Sequence, residues 1–332
     1  MKDRILVTGA GGFIGGHLVA ELLKEGHRVR AVDKKPQGQW YQRFPAAENL
    51  TLQLEEKDHC LRAVKGCSSI YNLAADMGGM GFIELNKGLC MLTVLIDTHM
   101  LMAARDCGAA RFFYPSSACV YAGFKQQRPN IPGLKEEDAY PADPEDGYGW
   151  QKLFSERMCR HFREDFGLQT RVARYHNVYG PHGTFNGGRE KAPAAICRKI
   201  IAAKLSGHHE IEIWGDGEQT RSFMFIDDCL SGTRALMESD IVDPLNIGSP
   251  EMVTINRLVD LTEEIAGIKV KRNYKPDAPK GVRGRSSDNT LIKSKLGWEP
   301  SIPLRVGLEK TYGWILDEMN NGGVTKAVVN RF

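Results

Sequence analysis

The sequence predicts an α/β fold built on a doubly wound parallel sheet, and three features point to this class. Short apolar runs, typical of buried strands, alternate with helical segments of apolar periodicity from residue 4 to about residue 174. The first run passes through a glycine-rich turn into a helix, which is the order of a Rossmann-type unit. After Tyr175 the chain becomes richer in turns and polar residues, which predicts a smaller mixed α/β substrate-binding domain.

Length, composition and charge narrow the classes of protein further. The 332 residues suit one large α/β unit, or a nucleotide-binding domain with a smaller companion. The net charge is only +3, so the chain lacks the basic field that would favour a nucleic-acid partner. We expect no membrane span, because no run of about 18 apolar residues occurs. We expect no signal peptide, because a strand begins at Arg4.

Cysteine usage predicts a cytoplasmic protein. The eight cysteines show no Cys-x-x-Cys spacing, so we interpret most of them as reduced thiols buried as small apolar side chains. Cys119 is the exception, for reasons given below.

The first strand, Arg4–Thr8, leads into a turn with glycines at every third position and a helix from about Phe13 to Lys24. Glycines there permit a tight turn, let a pyrophosphate approach the backbone, and let the helix pack closely on the strand. The helix N-terminus offers free N–H groups to an anion. A purely structural turn is the alternative, but the strand before and the helix after favour a dinucleotide site. Its residues are Gly9, Gly12, Phe13, Ile14 and Gly15.

The next strand, 28–33, ends in an acid, Asp33. An acid at this place accepts hydrogen bonds from a ribose 2′-hydroxyl and repels a 2′-phosphate, so the sequence favours NAD over NADP. Lys34 and Lys35 weaken that preference, although they also suit a solvated turn.

Two further strands, 50–54 and 69–73, precede a possible substrate loop. The second strand runs into small residues that let a cofactor lie close, and Leu73, Ala74 and Ala75 are its candidate contacts. The Gly/Met segment 77–81 follows, at the end of a strand where α/β sheets bind ligands. A simple connection is the alternative interpretation. A long helix from about Glu84 to Asp106 comes next.

Tyr148 and Lys152 lie four residues apart in a helix that we predict to run to about Phe166, so they share one face. Such pairs also occur by chance on surface helices. A lysine cation beside a phenol lowers the phenol's pKa, and a tyrosine so tuned takes a proton from a substrate hydroxyl. The strand 111–116 opens at its end into Ser117, which is able to bind the same hydroxyl, and Cys119 projects near the same spot. For Cys119 the alternative is a buried, inert thiol.

The C-terminal half contains predicted helices near 254–266, 289–296 and 304–320, and a strand, turn and strand over 211–222. Its arginines and lysines are separated rather than clustered, which suits a diphosphate better than a nucleic acid. Taken singly, each of them also suits a solvated surface.

Several motifs together resemble the extended short-chain dehydrogenase/reductase superfamily, over residues 4 to about 320. They are the glycine turn 9–15, Asn72-Leu-Ala-Ala75, Ser117, Tyr148-x-x-x-Lys152 and Tyr179-Gly-Pro181. The resemblance implies bound NAD and a nucleotide-activated sugar as substrate. It implies a NAD-binding Rossmann domain over 1–175 to which parts of 223–248 return, a mainly sugar-nucleotide-binding domain over 176–322, and a tail at 323–332. No metal site is implied.

Within that superfamily, longer motifs resemble the epimerases that act on GDP-mannose at C3 and C5. They are Ala75–Phe82, Ser116–Cys119, Phe185–Ala195, Trp214–Ser222 and Gly281–Arg285. This resemblance implies transient oxidation at C4, enolate formation and re-reduction, giving GDP-L-galactose, or GDP-L-gulose by inversion at C5 alone. The implied catalytic residues are Tyr148, Lys152, Ser117, Cys119 and Lys191. The implied substrate contacts are Gly79, Ser117, Asn177, Glu190, Lys191, Lys199, Trp214, Gln219 and Arg285, with Arg285 on the diphosphate. For Trp214, core packing is the alternative.

The chain departs from its relatives at two cofactor positions. Gln53 stands where many relatives carry an adenine-contacting Asp, and Thr93 stands where an Asn is frequent. A sugar-nucleotide 4-epimerase and a non-catalytic NAD-binding regulator remain as rival functions. Because the family usually dimerises through the long helices near 84–106 and 147–166, a homodimer is expected by analogy.

Overall fold

A computed structural model describes residues 4–321. The predicted tail, 323–332, lies outside the described residues. The strands, in chain order, are β1 Arg4–Thr8, β2 Arg28–Asp33, β3 Glu48–Thr51, β4 Ser69–Asn72, β5 Arg111–Ser117, β6 Gln169–Tyr175, β7 Val178–Tyr179, β8 Glu210–Trp214, β9 Thr220–Ser222, β10 Met224–Phe225, β11 Leu245–Ile247, β12 Met252–Thr254, β13 Lys271–Lys275 and β14 Gly284–Arg285. The helices are α1 Phe13–Lys24, α2 Lys57–Val64, α3 Met80–Leu85, α4 Lys87–Asp106, α5 Asp146–Phe166, α6 Ala192–Ser206, α7 Ile226–Glu238, α8 Ile255–Ala266, α9 Thr290–Leu296 and α10 Leu304–Asn320.

Seven strands form one parallel sheet in the order β11-β6-β5-β4-β1-β2-β3. The order reverses at β1, which pairs with β2 on one side and β4 on the other. In sheets of this kind ligands bind in the crevice outside the carboxyl ends of the strands at such a reversal. This architecture confirms the predicted α/β fold class.

The strands are apolar on both faces, as a sheet covered by helices on both sides requires. Neighbouring residues of one strand point to opposite faces. Thus Leu6, Ile70 and Phe112 join one buried cluster with α2 and α4, whereas Val7, Tyr71 and Phe113 join another with α1 and α7.

Smaller sheets follow β6 and carry the second half of the site. β12, β9 and β14 form one sheet, β8 pairs with β13, and α6, α8 and α10 pack against one another. β11 returns to the large sheet beside β6, and α7 packs on α1. The limits of the two predicted domains stay a prediction.

Three predicted boundaries are wrong, each for a local reason. The helix expected from Glu84 to Asp106 is interrupted at Asn86, whose φ of −130° and ψ of 43° break the helix while its side-chain amide donates to the carbonyl of Phe82. The strand expected over 50–54 is β3, which ends at Thr51; Leu52 and Leu54 beyond it are buried, so their alternation imitates a strand. The strand expected to end at Leu73 stops at Asn72, where the chain turns beneath the glycine loop.

Within residues 4–321, only α4 is long and apolar enough to pass a length-and-composition test for a membrane span. Buried residues make up 44% of its most apolar window, and α4 packs against α2 and α5. A core helix of a soluble protein passes the same test, so this is weak evidence, and the absence of a membrane partner stays a prediction.

Candidate active site

The glycine turn lies at the sheet reversal and is built for close approach. Gly9 has a φ of +64°, and a Cβ there would lie 2.9 Å from the carbonyl carbon of Leu73. A Cβ on Gly15 would come within 3.0 Å of Gly9, so α1 rests directly on the turn. The first turn of α1 contains no acidic residue and its N-cap, Gly12, adds no side chain, which leaves its N–H groups for an anion. These features fit a dinucleotide.

Asp33 is buried at the end of β2 and holds the loops that surround it. Its Oδ2 accepts the N–H of Gly11 at 3.0 Å and its Oδ1 accepts the N–H of Lys35 at 2.9 Å. Each carboxylate oxygen keeps a second lone pair, so a ribose hydroxyl is able to donate to it. The two lysines have protein partners: Lys35 donates to the carbonyl of Gly11 and Lys34 to Asp76 at 2.8 Å.

The remaining predicted cofactor contacts surround the same crevice. Phe13 and Ile14 form the first turn of α1, and Leu73, Ala74 and Ala75 follow β4 directly. Gln53 is exposed just beyond β3, and Thr93 is buried on α4, where its hydroxyl accepts the N–H of Asp76 at 3.2 Å. The departure at Thr93 thus has a structural role in the loop after β4.

Tyr148 and Lys152 are both buried on α5, on the face that meets the end of β5. Nζ of Lys152 lies 5.7 Å from the Tyr148 ring centroid and donates to the carbonyl of Pro115 at 2.9 Å. The expected lowering of the Tyr148 pKa is not found. Burial raises that pKa, and the hydrogen bond with Ser117 only partly offsets the rise.

Cys119 lies in one apolar cluster with Tyr148, Ile83 and Cys90 and is 7% exposed. It occupies a single helical turn after β5, where the Ser117 hydroxyl accepts its N–H at 3.2 Å. A Cβ on Gly149 would overlap the Cys119 carbonyl, so this turn sits directly on α5. The fold therefore fixes Ser117, Cys119 and Tyr148 relative to one another, as the sequence predicts.

Lys191 is the N-cap residue of α6, and its backbone lies against the Gly/Met loop at Gly79. A negative charge on Cys119 would raise the pKa of Lys191, and Nζ of Lys191 forms no hydrogen bond or ion pair with any residue of the described range 4–321. A thiolate and an ammonium side by side would stabilise each other's charge, but burial acts against both charges. Burial raises the pKa of the Cys119 thiol and lowers the pKa of Lys191, so desolvation favours the neutral form of both.

Arg285 places a positive charge against the thiol. It is 3% exposed, and its Nη1 lies 3.4 Å from Cys119 Sγ. Nη2 donates to Glu145 at 2.8 Å and Nε donates to Gln126 at 2.6 Å. A guanidinium has five N–H donors, so two remain after these three bonds.

The Gly/Met loop packs on the segment that carries Lys191. The N–H of Gly79 donates to the carbonyl of Arg189 at 3.0 Å. A Cβ at Gly79 would lie closer than 3.0 Å to the carbonyl oxygen of Glu190. The loop is therefore more than a connection, because it supports a predicted catalytic residue.

Other predicted substrate contacts line the outer part of the same region. Trp214 is 41% exposed, which excludes the core-packing alternative, and its ring covers Gly81. Gln219 is buried and donates to the carbonyl of Trp214, while its Oε1 has no partner among the described residues. Asn177 has a φ of +44° and donates to the carbonyl of Ser222. Their contact with a substrate stays a prediction.

Two predicted contacts make bonds that shape the loop before α6. Glu190 accepts the N–H of Gly188 at 2.7 Å and a bond from Arg198 at 3.3 Å. Lys199 donates to the carbonyl of Glu212 at 2.6 Å. The sequence analysis missed these neighbours, since loop contacts have no local pattern.

The sequence analysis also missed a buried polar chain behind Lys152. Thr8 donates to Asn72, Asn72 donates to Asp97 at 2.9 Å, and Asp97 accepts from Gln151 and Ser155 at 2.7 Å. Asp97 is 1% exposed. Burial lowers the pKa of Lys152, and among the neighbouring charges that of Asp97 acts most strongly to raise it. The sequence signal for this chain was Asp97 itself, an acid inside the apolar run of α4.

Comparison with known proteins agrees with this geometry. The model of the NAD dependent epimerase/dehydratase family matches residues 5–248. GDP-mannose 3,5-epimerase 1 of Oryza sativa subsp. japonica is 48% identical over 319 residues, covering 96% of this chain and 83% of the rice protein. The UDP-glucose 4-epimerase of Thermotoga maritima, solved with UDP-glucose, superimposes with a TM-score of 0.86 at 27% identity, over 95% of this chain and 99% of that one. MoeE5, solved with UDP-glucose and NAD, superimposes with a TM-score of 0.79 at 27% identity, over 96% of this chain and 99% of MoeE5.

These matches confirm the predicted superfamily and are consistent with NAD as the cofactor. A crevice built for a dinucleotide, with a buried tyrosine and lysine and a half-buried serine beside it, agrees with the family match, and this chain is a member of the NAD-dependent epimerase/dehydratase family.

Proposed function

We propose that this chain epimerises GDP-mannose at C3 and C5 to GDP-L-galactose, with GDP-L-gulose formed when C5 alone is inverted. One observation carries the proposal: Cys119 lies in the same buried cluster as Tyr148, and the Gly/Met loop beside this cluster packs on the segment that carries Lys191. C3 and C5 carry no acidic proton until C4 is oxidised. Inversion there therefore requires one group that takes the proton of the C4 hydroxyl and a separate acid–base pair for the two carbons. The name of the rice relative supports the same substrate.

NAD, when bound, supplies the transient oxidation at C4 and the later reduction, so it is not consumed. The glycine turn and the first turn of α1 would hold its pyrophosphate, and Asp33 a ribose. Tyr148 takes the proton of the C4 hydroxyl and later returns it. Ser117 hydrogen-bonds Tyr148 and is able to orient that hydroxyl, while Lys152 provides a nearby cation.

A ketone at C4 acidifies the C–H bonds at C3 and C5, because each carbanion is delocalised as an enolate. Inversion requires that a proton leaves one face of the ring and another arrives on the opposite face. We assign these transfers to Cys119 and Lys191. A thiol and an amine together hold the same number of protons as a thiolate and an ammonium, so moving one proton between the two side chains needs no net proton exchange with water. Each such role is worth roughly 10²–10⁴-fold in rate.

The nucleotide would bind across the outer part of the site. Trp214 offers an exposed ring, and Gln219 offers an oxygen that has no partner among residues 4–321. Two N–H groups of Arg285 are also without a partner in that range, and they suit a diphosphate. The further proposed contacts are Gly79, Asn177, Glu190 and Lys199.

Proton NMR of GDP-mannose incubated with the protein and NAD in D₂O tests this function. Deuterium at both C3 and C5, together with new GDP-hexoses and no net NADH, is the expected result. A changed C4 configuration without carbon-bound deuterium would instead identify a 4-epimerase. The absence of any turnover with sugar nucleotides would favour a non-catalytic NAD-binding protein.

We further propose a homodimer formed through α4 and α5. These helices pack together and expose a shared apolar face that comprises Leu89, Met91, Leu92, Leu95, Trp150 and Phe154. A second copy would bury this face in an antiparallel or parallel four-helix arrangement. Leu92→Glu should produce a monomer in sedimentation analysis, whereas Leu205→Glu, at an exposed leucine on α6, should leave the dimer intact. A wild-type monomer would contradict the proposal.

We also propose a cytoplasmic location without nucleic-acid or membrane partners. The modest net charge supports this, as do free cysteines at all eight positions. Cell fractionation tests it, and recovery in a membrane fraction would contradict it.

A further inference from the structure

The groups around the Cys119 thiol show an arrangement that the reaction outlined above does not use. Three side chains meet: the thiol, the Arg285 guanidinium 3.4 Å from Sγ, and the Glu145 carboxylate 2.8 Å from Arg285 Nη2. The Glu145 carboxylate also acts on the thiol, because its negative charge raises the pKa of Cys119. Arg285 therefore links the carboxylate to the thiol.

Glu145 and Arg285 are held in this arrangement from outside the triad. The backbone N–H of Glu145 donates to the carbonyl of Cys119 at 2.9 Å. Arg285 Nε donates to Gln126, which in turn donates to the carbonyl of Tyr121. Neither charged group therefore has freedom to leave the thiol without breaking other bonds.

The Glu145 carboxylate does not cap the helix that it precedes. Glu145 is the N-cap residue of α5, yet its side chain caps no N–H of that helix. Instead a charged pair is buried, with side-chain exposures of 10% and 4%. Burying such a pair costs desolvation and is weak evidence for stability. A role at the thiol accounts for the arrangement better than a role in folding.

We propose that Glu145 is a positioning residue for the acid–base step at Cys119. Its carboxylate fixes the Arg285 guanidinium against Sγ and so controls the ionisation of Cys119. The catalytic meaning of this control rests on the proposed function, but the ionisation itself does not.

The two charges act on the thiol with opposite sign. Burial raises the pKa of Cys119, Arg285 lowers it and Glu145 raises it further. Other ionisable groups also face the thiol from the elements packed around it; they are Arg221 on β9, Lys191 before α6, Tyr148 and Lys152 on α5, and Cys90 on α4. All of these stay in place when Glu145 or Arg285 is replaced, so the two substitutions isolate the two charges.

Direct titration of the thiol tests the proposal without substrate. The ultraviolet absorbance of the thiolate is followed against pH in the protein and in its Cys119→Ser variant, and the difference reports Cys119 alone. Glu145→Gln keeps an oxygen for Arg285 but removes the anion, so the midpoint should move down by about one pH unit or more. At a pH below the midpoint this corresponds to about tenfold more thiolate.

A second pair of variants guards against a purely structural effect. Arg285→Met leaves the anion beside the thiol without its cation, so the midpoint should move up. Glu145→Asp retains the charge and should return the midpoint towards the wild-type value. Midpoints that stay within a few tenths of a pH unit of wild type in both Glu145→Gln and Arg285→Met, or that move in the same direction, would overturn the proposal. Shifts of opposite sign in a protein that does not turn over GDP-mannose would uphold it while the proposed function fails.

Discussion

Replacing Gly79 by alanine should disable the acid–base step while leaving the cofactor site intact. The backbone of Gly79 has a φ of −70° and a ψ of 178°, which any residue adopts, so the substitution tests space alone. The added Cβ would come closer than 3.0 Å to the carbonyl oxygen of Glu190 and within 3.2 Å of its carbonyl carbon. Backbone cannot rotate away as a flexible side chain can, so the loop and the segment before α6 must separate.

The size of the effect follows from this contact. Overpacking of one methyl group costs about 1–3 kcal/mol of stability when the surroundings resist it. If the segment moves instead, Lys191 is displaced, and a misplacement of about 1 Å costs roughly 10²-fold in rate. We therefore expect about a hundredfold loss of deuterium exchange at C3 and C5.

Gly88 provides a matched control near the start of α4. A Cβ there meets no atom within 4 Å, and alanine in a helix is favoured over glycine by about 0.5–1 kcal/mol. Gly88→Ala should thus keep full exchange activity and unfold at an equal or slightly higher temperature. Full exchange activity in Gly79→Ala, with an unchanged unfolding temperature, would refute the reasoning.

Three further substitutions probe the cofactor site, the buried polar chain and the fold. Asp33→Ala removes the acceptor of two backbone N–H groups and of the ribose, so calorimetry should show NAD binding about 10–100-fold weaker; equal affinity would contradict the assignment. Burial raises the pKa of Asp97, so its ionisation opposes folding as pH rises through the folded-state pKa. The unfolding free energy of Asp97→Asn should therefore increase relative to wild type as pH rises from about 4, the ordinary pKa of an aspartate, through the folded-state value; a constant difference would contradict this. Glu156→Gln breaks a buried ion pair with Arg174 at 2.7 Å and should lower the free energy of unfolding in urea by about 3–5 kcal/mol. Glu164→Gln, which breaks an exposed pair with Arg160, should change this free energy little. Equal losses in the two variants would contradict the expected difference.

Local spacing is what made the reactive residues predictable. Tyr148 and Lys152 are one helical turn apart, and Ser117 and Cys119 follow one strand, so a few neighbouring residues fix each pair. The glycine turn was equally accessible, because its strand and helix adjoin it in sequence. All of these positions came from patterns shorter than about ten residues.

The contacts that the sequence analysis missed join distant parts of the chain. Arg285 stands 140 residues from Glu145 and 166 from Cys119, so no local pattern joins them. Ionisation was misjudged for a related reason. The spacing of Tyr148 and Lys152 predicts a lowered pKa for Tyr148, but the burial of Tyr148, which the fold alone sets, raises that pKa.

The central claim is that one site combines chemistry at C4 with a separate acid–base pair, and it is tested most directly in a variant that lacks only that pair. The protein with both Cys119→Ser and Lys191→Met, loaded with NAD, is mixed with GDP-mannose in D₂O. Absorbance of reduced cofactor and deuterium content of the recovered sugar are measured together. The account predicts a transient rise in absorbance with no deuterium at C3 or C5. Deuterium at both carbons at the wild-type rate would contradict it.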